Sequence, residues 1–394
     1  MPRVVFYSDC PVYGGADRLV GYLLQDPELA AFEPVLVHRS NRDFDLGLAE
    51  AVPGARAVAL RFPDRVDAVE QLAAAGVSGG RLAAAKALWR LADLVLFPYL
   101  VLRLFVEFRD LRANVVHVNN GGYPGALGCR AAVVAARLAR ARTVLAVHNQ
   151  TRPFSFPRDL LEWPVDRLVS ACADRLVTAT ERASESLGTR LKGRRLVVRD
   201  GVPAASAARQ RAEVRRELGL SESEVVWVMT ALFEERKGHA VLVKAAKSVP
   251  ARFVFGGDGL ERSKIEAAFG KHGLFLGYRA DSRDIIAAGD AFVLPSIHSE
   301  DMPLAILDAM ALGKPVVSTR LAGIPEEVED GVTGLLAEPG DAKGLADALT
   351  RLTGDTALRA RMGEAGRRRF AERFDITTMA HAYAALYREL AEKS

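Results

Sequence analysis

Cysteine is scarce in this chain: Cys10, Cys129 and Cys172 are its 3 cysteines among 394 residues, and they lie far apart. An odd count without a close pair excludes a disulfide framework and a Cys-rich zinc site, and points to a reducing compartment. Nucleic-acid signatures are missing as well. There is no zinc-finger spacing and no aromatic-rich RNP-like strand, so no nucleic-acid partner is expected. No G-x-G-x-x-G occurs, which disfavours dinucleotide binding. No G-x-S-x-G elbow surrounds Ser170, Ser184 or Ser186, so hydrolase chemistry is not indicated. The chain opens Met-Pro-Arg and runs straight into Val4-Val5-Phe6-Tyr7, too short and abrupt an opening for a signal peptide. A long uncharged apolar run is also lacking. Leu82–Phe108 has the length of a membrane span, but Arg90, Asp93, Pro98, Arg103 and Glu107 interrupt it, and a span needs ~20 mostly uncharged residues. The expectation is a helix that is either packed in a core or laid on a membrane surface.

What is present is ordinary globular material, 49% apolar and 26% charged. The length predicts about two domains. The net charge of +4 is uneven. Residues 1–200 hold 27 Lys/Arg against 21 Asp/Glu, whereas residues 201–394 hold 26 against 28. Residues 81–142 alone carry 10 basic and 3 acidic side chains. Such a patch meets anionic partners; without nucleic-acid signatures, membrane or phosphate contact ranks first.

The first half reads as strands alternating with helices. Short β-branched runs at Arg3–Ser8, Pro34–His38, Asn114–Val118, Thr143–His148, Arg175–Thr180 and Arg195–Arg199 are spaced by helical patterns such as Ala16–Leu24 and Ala126–Arg140. The second half repeats this with strands at Glu224–Thr230, Ala251–Phe255, Leu274–Leu276, Ala291–Leu294 and Pro315–Ser318. Alternation of this kind predicts parallel sheets covered by helices. Asp200-Gly201-Val202-Pro203, with the small and polar residues running to Arg211, marks the boundary between two α/β units.

Chemistry is concentrated in Pro295–Gly313, PSIHSEDMPLAILDAMALG. A strand ends at a Pro-Ser turn, Glu300 follows, and Pro303 fits the first turn of a helix that Gly313-Lys314-Pro315 stops. Free N–H groups at a helix start suit phosphate or sugar oxygens, and carboxylates at Glu300 and Asp308 can hold ligand hydroxyls. Upstream, Thr230–Gly238 (TALFEERKG) places Arg236 and Lys237 between a strand and a helix. Phe255–Glu261 is a glycine-rich turn containing Gly257, and Gly277-Tyr278-Arg279 ends the next strand. In the first half, Gly14 and Gly15 follow a strand and open a helix, where backbone can approach a phosphate closely. His148, Asn119 and Asn120 stand at strand ends, which face a ligand crevice in open α/β sheets. His117, inside its strand, reads as packing. Asp43-Phe44-Asp45 has the form of a D-x-D metal motif but reads as a solvated turn in a polar loop.

Pro295–Gly313 resembles the E-x7-E signature of family-4 retaining glycosyltransferases, which have the GT-B fold. The resemblance continues through Gly313-Lys314-Pro315-Val316-Val317, Ala322-Gly323-Ile324-Pro325-Glu326 and Asp330-Gly331-Val332-Thr333-Gly334. It covers most of residues 224–374 and, loosely, the first half. It implies an α/β GT-B chain with two Rossmann-like domains whose parallel sheets face across a cleft. The first, 1–200, would bind the acceptor, with the C-terminal helix 375–394 packing back onto it; the second, 201–374, would bind a nucleotide-diphospho-sugar. It implies that Glu300 faces the donor sugar and that Asp308 binds the ribose. Lys237, with Arg236, would neutralise the diphosphate. Gly14, Gly15, Gly257, Tyr278, Arg279, Met302 and Leu304 would line the donor site, His148 would contact the sugar, and Asn119 and Asn120 the acceptor. Two positions depart from the family: Ala231 stands where it has Arg, and Asp308 where it has Glu.

The function implied is retaining, metal-independent sugar transfer to a glycan, lipid-linked or small-molecule acceptor, with the nucleotide sugar as substrate and no cofactor. The basic, apolar segment 81–112 suggests peripheral contact with the inner membrane face of a cytoplasmic protein. Two other readings remain open: a non-catalytic GT-B partner or sugar-nucleotide-binding protein, and a sugar-nucleotide epimerase.

Overall fold

The computed structural model describes residues 2–63, 72, 75–156, 159–160, 162–204 and 207–392. Ala205 and Ser206, in the expected boundary segment, lie outside the described residues, as do the side chains of Lys86 and Arg90. The chain divides into two compact units. One comprises Met1–Thr178, Ser184–Val198 and Ala380–Ser394; the other comprises Ala179–Ala183 and Arg199–Met379.

The first unit holds a sheet of seven strands: β1 (Val4–Ser8), β2 (Val35–Arg39), β3 (Ala57–Leu60), β4 (Val115–Asn120), β5 (Arg142–Val147), β6 (Arg175–Thr178) and β7 (Arg195–Val197). Their order is β3-β2-β1-β4-β5-β6-β7 and every pairing is parallel. The central strands are buried along their whole length, as a sheet covered on both faces requires. Edge strand β3 was not legible in the sequence. Its four residues alternate in exposure and are too few to stand out from the apolar residues around them. The DFD segment is another difference. Asp43 and Asp45 sit in the first turn of the helix Arg42–Ala51, capped by Asn41, whose Oδ1 accepts from Phe44 N at 2.9 Å. Acidic residues favour that end of a helix dipole, so the pair belongs to a helix start and not to a turn.

The apolar run forms one long helix, Gly79–Asp110. Leu100, Val101, Leu104 and Phe108 are buried, and the helix packs on Leu127–Leu138, whose small side chains Ala131, Ala132, Ala135 and Ala136 are fully enclosed. The opposite face exposes Leu88, Leu91, Leu94, Val95, Tyr99, Leu102 and Val106, a stripe at helical spacing. Among the described residues, no helix is long and apolar enough to cross a membrane.

From Ala380 onward, the C-terminal helix Ile376–Ala391 belongs to this first unit. Tyr387 Oη and His117 Nδ1 are hydrogen-bonded at 2.6 Å, and the Phe6, Phe32 and Tyr383 rings pack around Tyr387. Burial pushes the His117 imidazole down to about 3, so it stays neutral. His117 is thus a packed core residue tied to the C-terminal helix.

The second unit carries β8 (Val226–Thr230), β9 (Arg252–Gly256), β10 (Gly273–Phe275), β11 (Ala291–Leu294), β12 (Val316–Thr319) and β13 (Gly334–Ala337), in the order β10-β9-β8-β11-β12-β13. These pairings are parallel too. Strand β13 was also missed, because GLLA begins with glycine and has no β-branched residue. The glycine is obligatory, since a Cβ at Gly334 would stand 2.1 Å from the Val316 carbonyl oxygen. In each sheet the order reverses next to its first strand, between β1 and β4 and between β8 and β11. Those are the topological switch points where open α/β sheets bind ligands.

Thermal melting of Tyr387→Phe should show a loss of about 1–3 kcal/mol, the cost of stranding the buried His117 nitrogen. Unfolded His117 takes a proton near 6.5 and the folded residue only near 3. Its contribution is therefore fully present above that range and is lost as pH falls from 6.5 towards 3. His117→Gln should reduce the acid-side slope of stability over that window.

Candidate functional site

At the switch point of the second unit, β8 ends at Thr230 and β11 at Leu294. Two turns leave these strands and are pressed together. The turn Glu235–Lys237 ends at Gly238, whose φ is +73°. A Cβ there would lie 1.9 Å from the Pro295 carbonyl oxygen, so only glycine allows the approach. Ile297 N then donates to the Arg236 carbonyl at 2.8 Å. Ser299, at φ +55°, redirects the second loop and brings Glu300 back over the first turn.

Arg236 and Lys237 consequently converge. Arg236 Nη1 donates to Glu300 Oε1 at 2.6 Å, and Lys237 Nζ donates to the same oxygen. In a regular helix, adjacent side chains diverge; here both reach one carboxylate oxygen. Glu300 is 5% exposed, so this is a largely desolvated triad of two cations and one anion. Burial holds the Lys237 ammonium below its usual value, partly offset by Glu300. Arg236 is steadied from behind by Glu234, with Nε to Oε2 at 2.5 Å. Met302 and Leu304 are buried beside this loop, and Asp308 follows on the helix Leu304–Ala311.

Asp308 has a partner that the sequence reading missed. Arg283 Nε donates to Asp308 Oδ1 at 2.9 Å, from the helix Ser282–Ala288. No linear motif joins these positions; adjacency of the two helices does. Gly257 has φ +131°, and a Cβ there would meet the Ala231 carbonyl oxygen at 2.0 Å, so this glycine is required by a backbone crossing beside the site. Ala231 adds no charge where an arginine was expected. Tyr278 is 76% exposed. The Arg279 guanidinium is engaged by Asp281 at 2.7 Å and Glu217 at 3.1 Å, and these carboxylates hold it above the usual arginine value.

Two further carboxyls lie behind the triad. Asp301 accepts from Thr180 Oγ1 at 2.6 Å. Glu327, at the end of the short helix Ile324–Glu327, is fully buried. Nothing in the sequence sets Glu327 apart from its neighbour Glu326.

The first unit brings a different group to its own switch point. Asp17 is buried in the first turn of the helix Gly15–Gln25. Its Oδ1 accepts from Ser8 Oγ at 2.5 Å and from Asn119 Nδ2 at 3.0 Å, and its Oδ2 caps the Gly14 N–H at 3.5 Å. Ser8 and Asn119 stand in register on β1 and β4, so one carboxylate ties the two switch-point strands to the glycine turn. Burial raises the Asp17 carboxyl, while its hydrogen bonds and the nearby His148 oppose the rise. His148 follows β5, with its N–H on the Asn120 carbonyl at 3.0 Å. The capping pattern Gly14-x-x-Asp17 was the available signal for Asp17. Among the described residues, no group of three or more His, Cys, Asp or Glu side chains is placed to hold a metal ion.

Two parallel sheets with Rossmann strand order and a cation–carboxylate triad at a switch point define an α/β protein of the GT-B class. Comparison with known proteins agrees. Residues 223–355 match the family model "Glycosyl transferases group 1". The lipopolysaccharide core biosynthesis glycosyltransferase LpsE of Rhizobium meliloti is 37% identical over 160 residues, 39% of this chain and 47% of that protein. N-acetyl-alpha-D-glucosaminyl L-malate synthase of Bacillus anthracis is 32% identical over 188 residues, 45% of this chain and 49% of that protein. The matches thus span about half the length of these relatives. Among solved structures, HepE of Anabaena in complex with UDP superposes with TM-score 0.76 at 18% identity, covering 98% of this chain and 100% of that one. Sucrose-phosphate synthase of Thermosynechococcus elongatus gives 0.76 at 21%, covering all of both chains. These likenesses establish the GT-B fold.

Gly238→Ala should lose at least about 2–3 kcal/mol of stability, because the substitution combines an unfavourable left-handed φ with a backbone clash. Chemical denaturation would measure this, and a variant as stable as the parent would show that the two turns separate easily.

Proposed function

We propose that the chain is a retaining glycosyltransferase, moving a sugar from a nucleoside-diphosphate sugar to a hydroxyl of a glycan, lipid-linked or small-molecule acceptor. The observation that carries this reading is the convergence of Arg236 and Lys237 on Glu300 at the β8/β11 switch point. Two adjacent cations match the charge of a diphosphate and stabilise it as it leaves, the interaction that transition-state stabilisation requires. In the ligand-free protein, Glu300 takes the place of that anion. When the diphosphate arrives, the cations turn to it, and the carboxylate is released to hold sugar hydroxyls. Asp308 holds the ribose once Arg283 gives way, and Met302, Leu304 and Gly257 form the walls of the pocket. In the first unit, Gly14, Gly15 and His148 serve the donor, with Asn119 and Asn120 beside the acceptor. Retention is proposed on the resemblance to family-4 enzymes. UDP is the first nucleotide to test, since HepE has been captured with UDP and with UDP-glucose.

A second reading is a non-catalytic sugar-nucleotide-binding protein. It is favoured by the missing charge at Ala231 and by the engagement of Asp308 with Arg283.

Thermal-shift titration with nucleoside diphosphates and their sugars, with and without EDTA, separates these readings. A ligand at about 100 times its Kd adds ~2.7 kcal/mol. A shift that survives EDTA, together with transfer to an acceptor, supports the enzyme; a shift without transfer supports the binding protein. Glu300→Gln should bind the free diphosphate as tightly as the parent or more tightly, because an internal competitor is removed, while transfer falls by about a hundredfold or more. Equal loss of both would refute the exchange of Glu300 for diphosphate.

We also propose that the exposed stripe from Leu88 to Val106 rests on the acyl–headgroup boundary of an anionic membrane, with Arg81, Arg109 and Arg112 towards the headgroups. Sedimentation with anionic vesicles should be salt-sensitive. It should fall by about tenfold or more in the double substitution Leu91→Asp, Leu102→Asp, since burying these residues is what charge opposes. Vesicle binding unchanged by the double substitution would exclude this face.

A further inference from the structure

The segment that leaves β5 hides its acids and exposes its aromatic rings. Residues 149–168 contain three carboxylates, Asp159, Glu162 and Asp166. Asp159 and Asp166 are buried and Glu162 is half-buried. Arg152 holds Asp159 through two bonds of 2.9 Å, and Ser155 N donates to the same carboxylate at 2.8 Å. Arg190 Nε donates to Asp166 at 2.6 Å, and its Nη2 donates to Glu162. Each acid is thus bonded to an arginine of its own unit. The large side chains left in solvent are Phe154, Phe156, Leu160, Trp163 and Leu168, with Phe156 75% and Trp163 52% exposed. The exposed cation Arg167 stands over the Trp163 ring, 5.1 Å from its centroid. Arg158 lies outside the described residues.

A loop free to move would fold such rings inward; the arginine–carboxylate bonds prevent this. A contiguous exposed apolar patch of this kind marks a surface that meets something other than water. Its place in the fold narrows the choice. The strands are parallel, so β5 releases the segment at the carboxyl edge of the first sheet. The long helix Gly79–Asp110 reaches the same edge, where its Leu96 and Leu100 line a cavity with Asp9, Gly125 and Gly128. The stripe residues Leu88, Leu91 and Leu94 precede that level along the helix. Helices Gly79–Asp110, Leu127–Leu138 and Trp163–Cys172 pack in that order as one layer.

We propose that this segment is a membrane-contact loop: Phe156, Leu160 and Trp163 enter the acyl–headgroup boundary of an anionic bilayer, and Arg167 meets its phosphates. The side chains favour a lipid surface over a glycan. A sugar stacked on a ring needs acids or amides beside that ring for its hydroxyls, and here the three acids face the other way. Leu160 and Leu168 add aliphatic surface that suits acyl chains, and an indole with a polar edge suits the boundary. A cation among the rings complements anionic headgroups. The proposal does not depend on the donor-site reading. It concerns a different surface from the helix stripe, and the two would give the carboxyl edge two points of contact with one bilayer.

The test uses the full chain and mixed phosphatidylcholine–phosphatidylglycerol vesicles whose acyl chains carry bromine, which quenches a tryptophan that enters them. The chain has 3 tryptophans, Trp89, Trp163 and Trp227, and Trp227 is fully buried. In Trp89→Phe, Trp163 is therefore the exposed reporter. Bromolipid should quench Trp89→Phe, and the quenching should vanish when Trp163→Phe is added. Bound protein whose Trp163 is not quenched overturns the proposal. The double substitution Phe156→Asp, Trp163→Asp should weaken vesicle binding by about tenfold or more. It should melt like the parent, since both side chains are exposed and an acid suits the start of the helix Trp163–Cys172. Binding unchanged by it, but lost in Leu91→Asp, Leu102→Asp, assigns membrane contact to the helix stripe alone and overturns the loop. The reverse pattern upholds the loop and removes the stripe. A parent that binds no vesicle overturns both. A parent dimer that the loop substitutions dissociate also overturns the proposal, since a second copy would then be the cover.

Discussion

The contact on which the candidate site depends is the approach of two turns at the β8/β11 switch point. Gly238 lies against the Pro295 carbonyl, and the Ile297 amide is bonded to the Arg236 carbonyl. Without that approach, Arg236 and Lys237 would be solvated side chains on a loop and Glu300 an exposed acid on another. With it, two cations and one anion share a poorly solvated volume where each interaction is stronger than in water. The parallel sheet makes the approach possible. Neighbouring strands release their C-terminal loops at the same level, and the reversal of strand order opens a gap between those loops.

The fold was legible because parallel sheets covered on both faces write themselves as short apolar runs, and the central strands of both sheets are such runs. The exceptions, β3 and β13, are outermost strands with half-exposed or glycine-led sequences. The site was legible where a motif is local. Lys237, Glu300 and Asp308 lie in stretches whose turn and helix chemistry can be read residue by residue. It was illegible where a partner comes from another element. Arg283 reaches Asp308 from a neighbouring helix, and Asp17 gathers Ser8 and Asn119 across two strands. Arg236 and Lys237 are neighbours in sequence, and the tight turn after Glu234 brings both to Glu300.

Buried charge elsewhere in the chain shows what compensation looks like. Arg190 bonds Asp166 at 2.6 Å and also Glu162, while Asp166 accepts from Tyr123 Oη at 2.5 Å. Arg215 reaches Asp290 at 2.7 Å and the Ala288 carbonyl at 3.0 Å. In these networks the polar atoms find fixed partners, so the burial is tolerable and the side chains have nothing further to do. They are rivets.

The carboxyls at the second unit's switch point are built differently. Glu300 directs one oxygen to two cations, Asp308 accepts from Arg283, and among the described residues neither oxygen of Glu327 has a hydrogen-bond partner. Under the proposed function, the partners of Glu300 and Asp308 are exchanged for the donor when it arrives. Uncompensated groups of this kind reduce stability and persist where they serve a site. The contrast between saturated and unsaturated buried charge thus sets the Arg190 and Arg215 networks apart from the loops in which we propose the donor site.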